Sequence, residues 1–280
     1  MRLVSISDRT GALGVVAMLL AMIAAPASAQ DRGAAETLES AASANADANN
    51  PLANVTAFNI QNYYIDRFTG LPDDVDGNQM VLRFAKPLSI GDTNWLMRAS
   101  LPYNSFPVGE GFSEVSGIGD VDVFFAYQFD TPPGVSFGIG PQIVAPTATD
   151  DRLGADQWQL GIANVFFDGR SPKFQYGYLL TYRAGVGDTP EGRERPSLGA
   201  FQPFGFYQLG EGWYTGGAPI WTYNFSNDNY NVPLGLRLGK VAQFGKTTAN
   251  FFVEPQWSVA HRGDGQPDFQ VYAAINLQFR

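Results

Sequence analysis

Few residues of this chain could do chemistry. There is no cysteine and a single histidine, His261, which excludes disulfides, thiolate nucleophiles and thiolate metal sites and leaves imidazole catalysis one candidate. His261 follows Ser258 by three positions in the last loop region, with no third group to orient it, so a solvated loop histidine is the expectation. Gly134-Val135-Ser136-Phe137-Gly138 has the spacing of a hydrolase nucleophile elbow, but an elbow needs a strand-to-helix turn and no helix signal follows. The carboxylates of Asp73-Asp74-Val75-Asp76-Gly77-Asn78 lack the full ligand spacing of a calcium loop and read as a solvated acidic turn. Gly117-Ile118-Gly119 enters a strand from a loop, the reverse of a dinucleotide fingerprint, and Arg262-Gly263-Asp264 reads as a hairpin tip. No enzyme, cofactor or metal is expected.

The remaining candidates are charges in apolar company: Arg83, Arg98, Arg183 and Arg237, with Asp120, Asp122 and Glu254. Their meaning depends on the elements that carry them. The chain has 280 residues, 14% aromatics, 31 glycines and only 16% charged residues, a balance typical of strands. Its formal charge of −9 disfavours nucleic acid as a partner.

Arg2 and Arg9, the apolar run 12–25 and Ala27-Ser28-Ala29 before Gln30 make residues 1–29 a cleavable export signal, too short in its apolar stretch for the roughly 20 residues of a membrane-spanning helix. Removing its two arginines and one aspartate takes the net charge from −9 to −10. Residues 30–53 are expected to be a flexible periplasmic extension, since the Ala-, Asn-, Glu- and Ser-rich stretch 30–50 has little apolar surface to offset the entropy of ordering. The domain proper is expected over 54–280.

From residue 54 onward, twelve runs of about ten residues with period-two character alternate with Gly, Pro, Asp and Asn clusters. The fourth spans 118–129, the ninth 213–225 and the tenth 232–242. Short turns follow the even-numbered runs, as at Ile90-Gly91-Asp92-Thr93, and mostly longer loops follow the odd-numbered ones, as over 104–117. A soluble sandwich has no reason to trim one end and elaborate the other, whereas membrane barrels combine short periplasmic turns with long external loops. The expectation is therefore all-β: a transmembrane up-and-down antiparallel β-barrel of about 12 strands in the outer membrane, with its lipid as partner.

Face periodicity agrees. The last run sets Phe269, Val271, Ala273, Ile275, Leu277 and Phe279 against Gln270, Tyr272, Ala274, Asn276 and Gln278. All five tryptophans fall near run ends, in two groups, the pattern of interfacial girdles. An arginine turned to lipid at the midplane would cost roughly 2 to 4 kcal/mol, so Arg83, Arg98, Arg183 and Arg237, with Asp120, Asp122 and Glu254, are expected to line the lumen. Twelve strands enclose a lumen that passes or holds a small solute at most. A slightly positive lining predicts a narrow pore favouring anionic solutes; a plugged barrel whose external loops bind a partner is the alternative.

Asn50-Pro51-Leu52-Ala53, Trp95-Leu96-Met97-Arg98-Ala99-Ser100-Leu101-Pro102, Ser116-Gly117-Ile118-Gly119-Asp120, Gly140-Pro141-Gln142, Ala145-Pro146-Thr147-Ala148-Thr149, Gly217-Ala218-Pro219-Ile220-Trp221 and Tyr230-Asn231-Val232-Pro233-Leu234-Gly235 together resemble a Gram-negative outer-membrane family related to phenol-degradation meta-pathway transporters, often labelled neuromedin U. The resemblance covers nearly the whole chain after the leader. It implies a membrane barrel, transport of small, including aromatic, molecules, and engagement of the barrel-assembly machinery through the C-terminal strand. It transfers no catalytic or binding residue. Arg280 after Phe279 departs from the terminal aromatic usual in such barrels.

Overall fold

The structure, a computed structural model, describes residues 48–279. The expected leader and residues 30–47 of the expected extension lie outside the described residues. The strands are β1 (Thr56–Phe68), β2 (Gly77–Ile90), β3 (Thr93–Phe106), β4 (Val115–Ile118), β5 (Val121–Gln128), β6 (Val135–Ala145), β7 (Gln159–Asp168), β8 (Phe174–Gly185), β9 (Ser197–Gly210), β10 (Trp213–Gly217), β11 (Trp221–Asn224), β12 (Asn229–Gly235), β13 (Arg237–Phe244), β14 (Thr247–Arg262) and β15 (Pro267–Phe279).

Each strand pairs antiparallel with its neighbours, and β1 pairs with both β2 and β15, which closes the sheet. Closure leaves no unpaired edge, the condition for backbone to cross hydrocarbon as strands. Three staves are each made of two short strands, β4 with β5, β10 with β11 and β12 with β13, so the fifteen strands form a closed barrel of twelve staves. At one end the connections are Gly91-Asp92, 129–134, 169–173, Glu211-Gly212 and Gly245-Lys246. Glu211 and Gly212 have φ of 50° and 81°, the left-handed pair that a tight hairpin turn needs. At the other end are 69–76, 107–114, 146–158 and 186–196, whereas 225–228 and 263–266 are short. Elaboration is thus concentrated on the first four outer loops.

The outer wall is apolar. Ile60, Phe84, Leu101, Leu160, Ile162, Leu180, Leu234 and Leu238, from six of the staves, are exposed on the outer face, as lipid contact requires. Aromatic rims flank this band. Trp95, Tyr127, Phe129 and Phe137 form a run of ring contacts beside the short turns. Tyr182, Phe225, Tyr223 and Tyr230 form another beside the outer loops.

Three departures from the sequence expectation bear on the interior. The fourth, ninth and tenth runs are interrupted at 119–120, 218–220 and Leu236 instead of being continuous. Pro219 has no N–H for the ladder, and the Ala218 N–H turns inward to donate to Glu254. Residues 48–53, assigned by composition to the flexible extension, are packed inside the barrel, because Leu52 finds there an apolar pocket that a local reading of an Asn- and Ala-rich stretch does not reveal.

Candidate functional site: the occluded lumen

The inner half of the lumen, toward the short turns, is packed like a small globular core. Leu52 lies among Leu96, Phe124, Ala126, Ala163, Val165 and Leu179, and Ala48 joins Phe167, Phe204, Phe206, Tyr214, Val241 and Phe252. Polar contacts set the register of this segment. Asn49 Nδ2 donates to Gln175 Oε1 at 3.2 Å, Asn50 Nδ2 to Ser136 Oγ at 3.0 Å, and Asn250 Nδ2 to the carbonyl of Ala48 at 3.3 Å. Asn250 is itself positioned by the Tyr214 hydroxyl, which donates to its Oδ1 at 2.7 Å. The Leu52 N–H donates to Asn50 Oδ1 at 2.9 Å, closing the turn that carries the chain on toward β1. Residues 48–53 are therefore held within the barrel at this end.

Beside this plug, Arg237 Nε donates to Glu254 Oε2 at 2.6 Å, and the guanidinium lies 3.6 Å from the Phe252 ring centroid. Glu254 also accepts from the Ala218 N–H at 3.1 Å and from Gln256 Nε2 at 2.8 Å. Gly235 makes this possible, since a Cβ there would collide with the Glu254 carboxylate. A buried carboxylate with this many donors has its hydrogen-bonding capacity met and balances the arginine.

Three cavities follow one another outward. The innermost, about 140 Å³, is bounded by the plug and by Arg83, Arg98, Asn59, Gln61 and Asn276. The middle one, about 250 Å³, shares Arg83, Arg98, Leu179 and Gln202 with it and adds Asp120, Asp122, Gln142, Thr181 and Arg183. The outermost, about 400 Å³, shares Gln79, Pro102, Asp120, Arg183 and Leu198 with the middle one and reaches Arg152, Gln159 and Asn224. Shared walls and increasing volume make the unplugged part of the lumen a funnel that widens outward.

The charges of the funnel are unevenly paired. Asp122 accepts from Gln142 Nε2 and, at 3.4 Å, from Arg183 Nη1. Asp120 accepts from the backbone N–H groups of Thr147, Ala148 and Ala155 at 3.2, 3.2 and 2.7 Å, which draws the loop 146–156 over the outer cavity. Arg193 reaches across from the next long loop to the carbonyls of Asp151 and Gly154. By contrast, Arg83 and Arg98 have neither an ion pair nor a hydrogen bond among the described residues, and the Nε of each is enclosed without a partner. Arg98 lies over the Phe124 ring, 4.2 Å from its centroid.

All seven charges expected in the lumen turn inward, but they do not act as one lining. Arg237 and Glu254 form a structural pair in the inner half, Arg183 and Asp122 pair in the middle, Asp120 latches a loop, and only Arg83 and Arg98 present uncompensated charge. Sequence reasoning missed the plug contacts, Asn49, Asn50, Leu52, Asn250 and Phe252; Leu52, at the end of an Asn- and Ala-rich stretch, was the available signal. The hydrolase-like motif forms no strand-to-helix elbow: Ser136 sits inside β6 and accepts from Asn50 Nδ2 of the plug. Ser258 donates to Asn231 Oδ1 at 2.6 Å instead of to His261. No group of three or more His, Asp or Glu among the described residues is arranged to hold a metal ion.

No protein-family profile matches the chain, and no curated protein matches it in sequence. Among solved structures the chain is similar to the COG4313 outer membrane channel from Pseudomonas putida F1, at 14% identity and a TM-score of 0.63, over 82% of this chain and 97% of that one. NanC porin follows at 10% identity and a TM-score of 0.49 over 80% and 99% of the two chains, and KdgM porin at 9% and 0.44 over 80% and 98%. At these identities the likeness is one of fold. A closed barrel with a lipid-facing wall and the fold of a known outer-membrane channel belongs to a single setting: the chain is an outer-membrane β-barrel.

Proposed function

We propose that this barrel is a passive channel for small solutes, entered from the outer funnel and closed at its periplasmic end by residues 48–53. The reading is carried by the three interior cavities with shared walls, which lead from the outer loops to the plug. Their volumes limit the cargo to small molecules, and the uncompensated Arg83 and Arg98 favour an anionic group on them. Likeness of fold to an outer membrane channel supports the class of function, and the resemblance to phenol-pathway transporters supports an aromatic or similarly apolar body for the solute. No catalytic step is assigned to the chain. Assembly through β15, which ends at the aromatic Phe279, is part of the same reading.

The rival is a plugged barrel that acts through its outer surface. It is favoured by the cross-ties among the outer loops, such as Asn227 Nδ2 to Glu194 Oε2 at 3.1 Å and Ser226 Oγ to the Arg195 carbonyl at 2.5 Å. Planar-bilayer recording separates the two. The channel reading expects small, anion-preferring conductance from the whole chain and a several-fold increase when residues 48–53 are deleted. A barrel that stays silent after that deletion belongs to the rival.

A further inference from the structure

Arg83 on β2 is opposite Ser100, and Arg98 on β3 is opposite Ala85, so the two guanidinium groups are diagonal neighbours on the lumen face. Like charges so placed repel, and enclosure in a low-dielectric wall strengthens the repulsion. The nearby carboxylates relieve it only in part: Asp122 is shared with Gln142 and Arg183, and Asp120 is engaged by three backbone N–H groups. A paired cation in this position would need no explanation, but two that no described residue pairs leave their donors turned to the cavity and open to an anionic solute.

The rest of the middle cavity says what that is. Across the barrel from the arginines its wall carries the apolar Leu179, Leu198, Ala200 and Ile220 beside Thr181, Arg183 and Gln202. The Phe124 ring holds the Arg98 guanidinium from one face, and Phe124 in turn packs in the cluster around Leu52, so the floor is preorganised by the seated plug. A planar fork of N–H donors matches a carboxylate, and about 250 Å³ with an aliphatic patch on the far wall has room for a short apolar body.

We propose that Arg83 and Arg98 form a binding site in the middle cavity for a small amphiphilic carboxylate, with the carboxylate between the two guanidinium groups and the apolar body against Leu179, Leu198 and Ile220. The site names the solute class of the channel reading and rests on that reading only for the route of entry.

The test is calorimetric titration of the purified full chain in a non-ionic detergent with hexanoate, 1-hexanol and inorganic phosphate. Hexanoate is expected to bind one per barrel. The neutral alcohol and the body-less phosphate should each bind at least about tenfold more weakly, the loss expected when a charge-assisted contact or a buried alkyl chain is removed. Arg83→Met and Arg98→Met should each weaken hexanoate about tenfold and the double variant should abolish it. Neither arginine has a hydrogen-bonding partner among the described residues, so the variants should fold, which heat-dependent gel mobility verifies. Equal affinity for 1-hexanol, equal affinity for phosphate, or unchanged hexanoate binding by the folded double variant each overturns the proposal. Because binding is read without current, a barrel that binds hexanoate but never conducts refutes the channel and leaves the site. One that conducts without binding hexanoate refutes the site and leaves the channel.

Discussion

Arg237 and Glu254 meet across β13 and β14 at 2.6 Å with 6% and 0% of their side chains exposed, and the Ala218 N–H completes the carboxylate's shell from the break between β10 and β11. One ion pair thus joins three staves at the places where two of them are interrupted. It stands beside the ladder hydrogen bond that Pro219, having no N–H, cannot make.

Removing one partner of such a pair strands a buried charge. Glu254→Gln is expected to destabilise the barrel by about 3 to 5 kcal/mol, and Arg237→Met combined with Glu254→Gln by clearly less, since no charge is then left alone. The midpoint temperature of the heat-dependent gel-mobility shift measures both. A single variant as stable as the parent would contradict the role given to the pair.

Asp120 makes a different prediction. Asp120→Ala removes the acceptor for Thr147, Ala148 and Ala155, and the loop carrying Arg152 should open. Losing bonds worth about 1 to 3 kcal/mol should raise the rate of trypsin cleavage after Arg152 on intact cells about tenfold or more. Cleavage at the parental rate would mean that the latch lies elsewhere.

The plug can be unseated without shortening the chain. Leu52→Asp places a carboxylate among Leu96, Phe124, Val165 and Leu179, and should raise single-channel conductance several-fold with the barrel still folded. Conductance that does not change on this replacement would show that residues 48–53 are not what limits it.

Orientation is also testable in a chain that has no cysteine of its own. Single cysteines at Asp74, Glu110 and Glu191 should react with an impermeant maleimide on intact cells, and those at Asp92, Pro132 and Glu211 should not. The opposite pattern would invert the topology.

In the loop over the outer cavity, side-chain and backbone hydrogen bonds from Arg152 hold the Asp150 carboxyl down to about 2, below its ordinary 3.8. A carboxylate with a depressed folded-state pKa contributes above its ordinary value and loses that contribution as pH falls toward the depressed one. The Asp150–Arg152 contact should therefore persist unchanged from pH 8 to 4 and dissolve between about 4 and 2. Carbon-13 NMR of labelled aspartate reads the titration directly, and an Asp150 midpoint near 3.8 would argue against the contact.

Closure, strand number and the two faces of the wall were legible in the sequence because they obey local rules. Alternation along Phe269 to Phe279 sorts lipid from lumen side chains, and turn length sorts one rim from the other. The inward direction of Arg83, Arg98, Arg183 and Arg237 was legible for the same reason, since hydrocarbon does not accept them. What the arginines do once inside depends on contacts far apart in the chain. Arg237 is neutralised by Glu254, Arg183 by Asp122, and Arg83 and Arg98 by no described residue, distinctions that no local pattern carries. The plug is the extreme case. Its Asn250 contact joins positions 201 residues apart, and Leu52 is buried only because the staves around it exist. Periodicity is a property of neighbouring residues and so is written in the sequence; charge pairing and occlusion are properties of the closed barrel, and only its tertiary structure decides them.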